Sequence, residues 1–253
     1  MEISAHIEAL HREGDLLAEA AAGTPLDAAV PTCPGWRLRD LLLHTGQVHR
    51  WAAAHVRDSL EKPLDAAGEQ AAWGPAPDDA DLAAWFRAGH RALVGTLERA
   101  PADLACWSFL PAPSPLAFWA RRQAHETAVH RVDAESAAGR ATAGVGAALA
   151  EDGIDELLNG FLVRPRAKLR SERPRTLLVR PADRSRAWLV TVSADPVQVA
   201  QGAAGAAADC TVTGPAADLY LLLWNRLAPD AVQASGDLSL LDLWRETAHV
   251  RWS

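Results

Sequence analysis

The stretch "HETAVH" at residues 125 to 130 puts two imidazoles and a carboxylate side by side, the side chains that bind divalent metals and move protons. It is close to the zinc-protease pattern His-Glu-x-x-His, but one extra residue separates its histidines. A helix turns about 100° per residue, so His125 and His130 diverge by roughly 140° and cannot grip one ion. Glu126 and His130 are four residues apart, roughly 40° in angle, and share a face. What remains is a Glu-x-x-x-His pair that needs a third donor from elsewhere in the chain.

Two histidines in "LLLHTGQVHRWAA" offer themselves. His44 shares its helical stripe with Leu41, Val48 and Trp51, the more apolar and so inward side. His49 shares its stripe with Leu42, Thr45 and Ala53, a weaker claim to burial. His44 is therefore the expected partner. His44, Glu126 and His130 together suit Zn²⁺ and leave a fourth position open for water or substrate. Other divalent metals accept the same set, since affinity alone does not choose between them. Asp133, one turn past His130, is placed to orient a ligand from behind. Glu126 and His130 also share their face with Gln123 and Asp133, a stripe that a solvated polar helix would show equally well. Spacing alone does not separate these two readings.

The elements that must hold these residues are helical. Residues 3 to 22 carry Ile3, Ile7, Leu10 and Leu17 at helical spacing and stop near Gly23 and Pro25. After the turn-rich "VPTCPGW", a second helix spans about 37 to 58. A third spans 79 to 99, with Asp78 or Asp79 expected as its N-cap. A fourth begins at Pro115, which fits a first helical turn behind Ser114 as cap. Four such helices predict a four-helix bundle. Past "AAGRATAGVGA" the texture changes: one more helix over 151 to 162, then strand-like runs from 175, 187 and 209, then a helical pattern from 216. The expected organisation is α+β overall, with a helical domain over 1–150 and a smaller α+β domain over 151–253.

The net charge of -7 and pI of about 5.7 give no basic footprint for nucleic acid or anionic membrane. No apolar run reaches the roughly 18 residues that span a bilayer, and the N-terminus lacks the order of a signal peptide, so a cytoplasmic protein is expected. Cys33, Cys106 and Cys210 are scattered, without metal spacing, and are expected as small core residues rather than disulfide partners. Nothing near Cys33 marks it as an activated nucleophile. The ten tryptophans, Trp36 included, are expected to be packing residues.

The segment "VPTCPGWRLRDLLLHTGQVHRWAA" resembles the N-terminal domain of the mycothiol-dependent maleylpyruvate isomerase family, one of the DinB-like metal-binding bundles. In that family a Pro-Gly-Trp turn is followed, eight residues after the tryptophan, by a metal-ligand histidine. That position here is His44. A Glu and a His four apart on the last bundle helix, followed by "VD", complete the family's ligand set. In "HETAVHRVD" they fall on Glu126 and His130, with Asp133 behind them. The later runs "TLLVRP", "VTVSADP", "CTVTGPAADLYLLLWNRL" and "GDLSLLDLW" are similar to the family's C-terminal, sterol-carrier-like domain, so the likeness extends along nearly the whole chain.

That resemblance implies zinc, or another divalent metal, holding mycothiol as a thiolate that attacks an electrophilic small molecule. The outcome would be S-transfer or a maleylpyruvate-type cis-trans isomerisation. It also implies a cleft role for Arg226, whose guanidinium could hold a carboxylate of substrate or thiol bidentately. At the residue level Arg226 is equally an ordinary arginine near a helix C-terminus. Arg122 and His125 flank the ligands as lesser candidates. Nothing besides Arg226 marks a diacid site, which tips the expectation towards S-transfer. The alternative of a different class is a non-catalytic metal- or small-molecule-binding module built on the same bundle. Either way the expected partners are small molecules, in a monomer or homodimer.

Overall fold

The computed structural model describes residues 1–202 and 205–250. The chain divides into two compact units, Met1–Ala143 and Gly144–Ser253.

The first unit is helical. α1 (Ile3–Ala21), α2 (Leu38–Arg57), α4 (Leu82–Arg99) and α5 (Pro115–Ala137) form a four-helix bundle in which α1 and α2 each pack against both α4 and α5. The short α3 (Ala66–Trp73), with no buried residue of its own, lies against α2. Leu10, Leu17, Leu38, Leu41, Phe86 and Trp119 are fully buried and make the dry interior. Removing apolar side chains from water is the main force that closes such a bundle. α5 is the central element: from Phe118 to Glu135 every residue but Arg121 is buried. Ser114 caps it as expected, its Oγ accepting from the Ala117 amide at 3.2 Å, and Pro115 occupies the first turn. The cap of α4 differs from expectation. Asp81 holds that position, without a capping bond from its side chain, while Asp79 is engaged by Arg39 of α2 at 2.5 Å.

A buried ion network adds a polar tie between α1 and α5. Arg131 Nε donates to Glu13 at 2.9 Å and Nη1 to Glu135 at 2.7 Å, all three side chains being almost wholly out of water. Each buried charge is thereby paired, as burial demands.

The second unit is α+β. α6 (Ala147–Asp155) continues in π-helical turns over Glu156–Leu162. A five-stranded sheet follows: β1 (Arg175–Pro181), β2 (Trp188–Val192), β3 (Gln198–Gln201), β4 (Cys210–Gly214) and β5 (Gln233–Gly236), in the order β3-β2-β1-β4-β5. β1 pairs in parallel with β4, and the other pairings are antiparallel. α7 (Ala216–Leu223) packs on α6 and against β1 and β4. α8 (Ser239–Thr247) is tied to α7 where Trp244 Nε1 donates to the Leu223 carbonyl at 2.9 Å. No helix among the described residues is long and apolar enough to cross a membrane.

Candidate metal centre

The Pro-Gly-Trp segment is a compact turn that launches α2. Val30 and Trp36 close it with an amide-to-carbonyl bond of 2.9 Å, and Gly35 takes φ +88°, a conformation that a side chain would strain. Asp40 then accepts from the Arg37 amide at 2.8 Å and satisfies one of the free donors at the helix start. The turn thus fixes Cys33 and Trp36 over the beginning of α2, and His44 follows two turns into the helix.

His44, Glu126 and His130 come together. Glu126 Oε1 lies 3.3 Å from His44 Nε2 and 3.2 Å from His130 Nε2, and one atom from each of the three side chains falls within 4.8 Å of the other two. Donors held about 2.0 Å from a tetrahedral ion sit about 3.3 Å from one another. Two imidazoles and one carboxylate at these separations fit a zinc-like divalent cation. Asp133 stands behind His130, its Oδ2 2.8 Å from Nδ1, which directs Nε2 towards Glu126. The exposures are graded. His44 keeps 25% of its side chain in solvent, His130 10% and Glu126 6%, so a ligand has access on the His44 side.

Electrostatics bind the cluster. Burial raises the cost of a charged Glu126, but His130, His44 and Arg122 outweigh it and hold the carboxyl well below its usual range. For His130 burial likewise opposes charge. Glu126 and Asp133 prevail and push it up to about 9. Arg122, fully buried one turn before Glu126, donates through Nη2 to Glu126 Oε2 at 3.1 Å. The polar stripe on α5 is therefore not a wet face, because Gln123, Glu126, His130 and Asp133 are all buried. His125 turns to another side of α5, where its ring meets His6 of α1 at 6.0 Å between centroids. His125 is thus absent from the cluster that joins His44, Glu126 and His130.

Three features differ from the sequence reading. His49 is the more buried of the two α2 histidines, at 0% exposure, not the less. It faces α4 and α5, bonding Thr127 Oγ1 at 2.9 Å and packing against His90 and Phe86. Local hydrophobicity along α2 misjudged it, since burial depends on which helices stand opposite. Trp36 does more than pack the core: its ring lies 5.0 Å from His44 and 6.0 Å, nearly parallel, from His130. Cys33 has a partner after all, its thiol lying 3.3 Å from Asp133 Oδ2. Cys33, Cys106 and Cys210 are thiols outside any disulfide, Cys210 buried and the other two half-buried. Arg226 belongs to the second unit, past the end of α7, where Nη1 donates to the Trp224 carbonyl at 2.8 Å.

Comparison with known families places this arrangement. Residues 7–135 match the model of the mycothiol maleylpyruvate isomerase N-terminal domain. Residues 148–243 match that of the family's C-terminal domain. The chain belongs to the mycothiol maleylpyruvate isomerase family. Among solved structures, that of a mycothiol-dependent maleylpyruvate isomerase shares the fold, with a TM-score of 0.63 at 13% identity over 93% of both chains. A histidine-to-alanine mutant of such an isomerase is as similar, with a TM-score of 0.63 at 12% identity and 93% coverage of both chains. Curated proteins give no match to this chain.

Proposed function

We propose that the chain is a metal- and mycothiol-dependent enzyme of the cytoplasm that adds a thiolate to an electrophilic small molecule. The observation that carries this reading is the spacing of Glu126 Oε1 from His44 Nε2 and His130 Nε2, 3.3 and 3.2 Å, which matches a three-donor site with a coordination position to spare. A divalent cation there, zinc by its donor set, would stabilise a thiol as its anion at neutral pH. The protein's own groups set the stage. Asp133 fixes the His130 ring, Arg122 holds the far oxygen of Glu126, and Trp36 walls the imidazoles with an apolar face. Arg226 is assigned, on the family likeness, the hold on a carboxylate of substrate or thiol.

In the reaction the thiol proton leaves to solvent and the sulfur lone pair forms a C–S bond with the electrophilic carbon. In S-transfer that bond persists, and a leaving group departs or the adduct takes up a proton. In isomerisation the adduct rotates about the former double bond, the C–S bond breaks, and the thiolate returns. The metal ligands serve both outcomes equally. The relatives of known structure are maleylpyruvate isomerases, which favours testing that substrate first.

The deciding experiment incubates the zinc-loaded protein with mycothiol and either maleylpyruvate or a panel of haloalkane and epoxide electrophiles. Conversion of maleylpyruvate with thiol regenerated identifies an isomerase. Stoichiometric thiol consumption with a thioether product identifies an S-transferase. A protein that binds zinc and mycothiol yet turns over none of these overturns the enzymatic reading in favour of a binding module.

A further inference from the structure

Trp51 stands seven residues past His44 on α2, and Trp119 seven residues before Glu126 on α5. Both are thus about 10 Å along their helices from the metal centre. Their rings meet at 5.0 Å between centroids, and Trp107 lies 5.9 Å from Trp51. Trp119 is fully buried, whereas Trp51, Trp107 and the neighbouring Phe109 each keep part of their surface in solvent. These rings enclose a polar group. His55 lies 4.8 Å from Trp51, 5.3 Å from Trp107 and 5.1 Å from Trp119, and is 0% exposed. Its Nδ1 is 2.9 Å from the Trp51 carbonyl, which can only accept, so Nδ1 carries the proton. Burial pushes His55 below its ordinary value, against the pull of that carbonyl and of Glu69, and the ring is neutral. Nε2 is then an acceptor held among the indoles, with no hydrogen-bond partner among the described residues. Gln123, one turn from Trp119 towards Glu126, is also fully buried, and neither of its amide atoms has such a partner. Unpaired polar groups out of water cost stability, and apolar side chains of similar size would fill both places better. Packing therefore does not account for them.

We propose that the cage of Trp51, Trp107 and Trp119 is the subsite for the non-reacting end of the electrophile, a flat aromatic ring whose hydroxyl or N–H donates to His55 Nε2. This inference rests on the thiolate reading above and adds the substrate class to it. Indole rings receive planar rings through stacked and edge-on contacts. The half-buried rings of Trp51 and Trp107 give entry, and the lone pair of His55 fixes the orientation of what enters. A diacid finds no countercharge on the indoles or on a neutral imidazole. The cage thus points to an aryl electrophile rather than to maleylpyruvate.

Two probes test it: 1-naphthol, and its methyl ether 1-methoxynaphthalene, which has the same rings but no donor. Each is titrated calorimetrically into zinc-loaded wild type, His55→Phe and Trp107→Leu. Wild type should bind the naphthol about three- to tenfold more tightly than the ether. His55→Phe should bring the naphthol down to the level of the ether, and Trp107→Leu should weaken both by about tenfold. The naphthol should also compete with the electrophile in whichever thiol-dependent conversion the wild type performs.

No saturable binding to wild type, or equal binding of the two probes there, would overturn the proposal, and that comparison stands even where a variant fails to fold. Affinities unchanged in Trp107→Leu would put the probes elsewhere and overturn it equally. So would a naphthol that binds without competing with the electrophile. Wild-type protein that takes up no cation or consumes no thiol would instead remove the thiolate reading itself, a failure visible apart from the titrations.

Discussion

Two histidine pairs in one bundle have opposite chemistry. His44 and His130 meet across a shared carboxylate, with Asp133 behind and part of His44 in solvent. His49 and His90, with ring centroids 5.4 Å apart, sit in the interior, and their hydrogen bonds go to a hydroxyl and a backbone carbonyl. His49 leans on a threonine hydroxyl and His90 on the His11 carbonyl. The Nδ1 atoms of His49 and His90 have no hydrogen-bond partner among the described residues. Burial acts on both pairs; for His49 and His90 it outweighs the pull of Glu126 and Asp15, while for His130 the adjacent carboxylates prevail. His130 is accordingly pushed up to about 9, whereas burial and then its neighbour His90 drive His49 well below its usual value. Burial alone makes a histidine inert. Burial beside carboxylates lets it carry a proton, or a cation in the proton's place.

The largest consequence falls on the proposed ligands. Replacing Glu126 or His130 by alanine should lower cation affinity on the order of a hundredfold to a thousandfold and abolish thiol-dependent turnover. Chelator competition reads the first effect and a product assay the second. Retained affinity in either variant would break the contrast between the pairs. His49→Ala should do the reverse. It opens a cavity and orphans Thr127, costing roughly 2–4 kcal/mol of stability in denaturant unfolding, with cation content unchanged.

Much of this contrast can be read from residue types, and the part that cannot has identifiable causes. The bundle is legible because apolar spacing, Ser114 and Pro115 act locally. His44, Glu126 and His130 are legible through helical angle and through the Pro-Gly-Trp turn eight residues before His44. The depth of His49 is not, because Phe86, His90 and Thr127 come from other helices and leave no trace in the α2 stripe. The contact of Cys33 with Asp133 joins residues 100 apart in sequence, beyond any spacing rule. α3 escapes notice because it buries no residue. β3 and β5 do so because "QVAQ" and "QASG" have no buried residue and hence no alternation to detect.

A smaller effect sharpens the picture of the ligand pair. Asp133→Asn keeps the shape but weakens the grip on His130 Nδ1, and cation affinity should fall about 10- to 100-fold by the same competition assay. An unchanged affinity would make Asp133 a partner of Cys33 alone.

The smallest effect concerns acid. His49 binds its proton less readily in the folded chain than at its ordinary value of 6.5, so the unfolded chain takes up the proton first as pH falls. Stability from this group is present above pH 6.5 and declines below it, by up to about 1.4 kcal/mol per pH unit. Unfolding midpoints of chelator-treated wild type and His49→Gln, followed from pH 7 to 5, should show a shallower decline in the variant. Equal slopes would assign the acid sensitivity elsewhere.

The most direct measurement is elemental analysis of the purified protein beside His44→Ala and His49→Ala, two changes on one helix five residues apart. About one divalent cation per chain in wild type and His49→Ala, lost in His44→Ala, is the predicted result. No stoichiometric cation in any of the three, or its loss on changing His49 rather than His44, would contradict the metal centre.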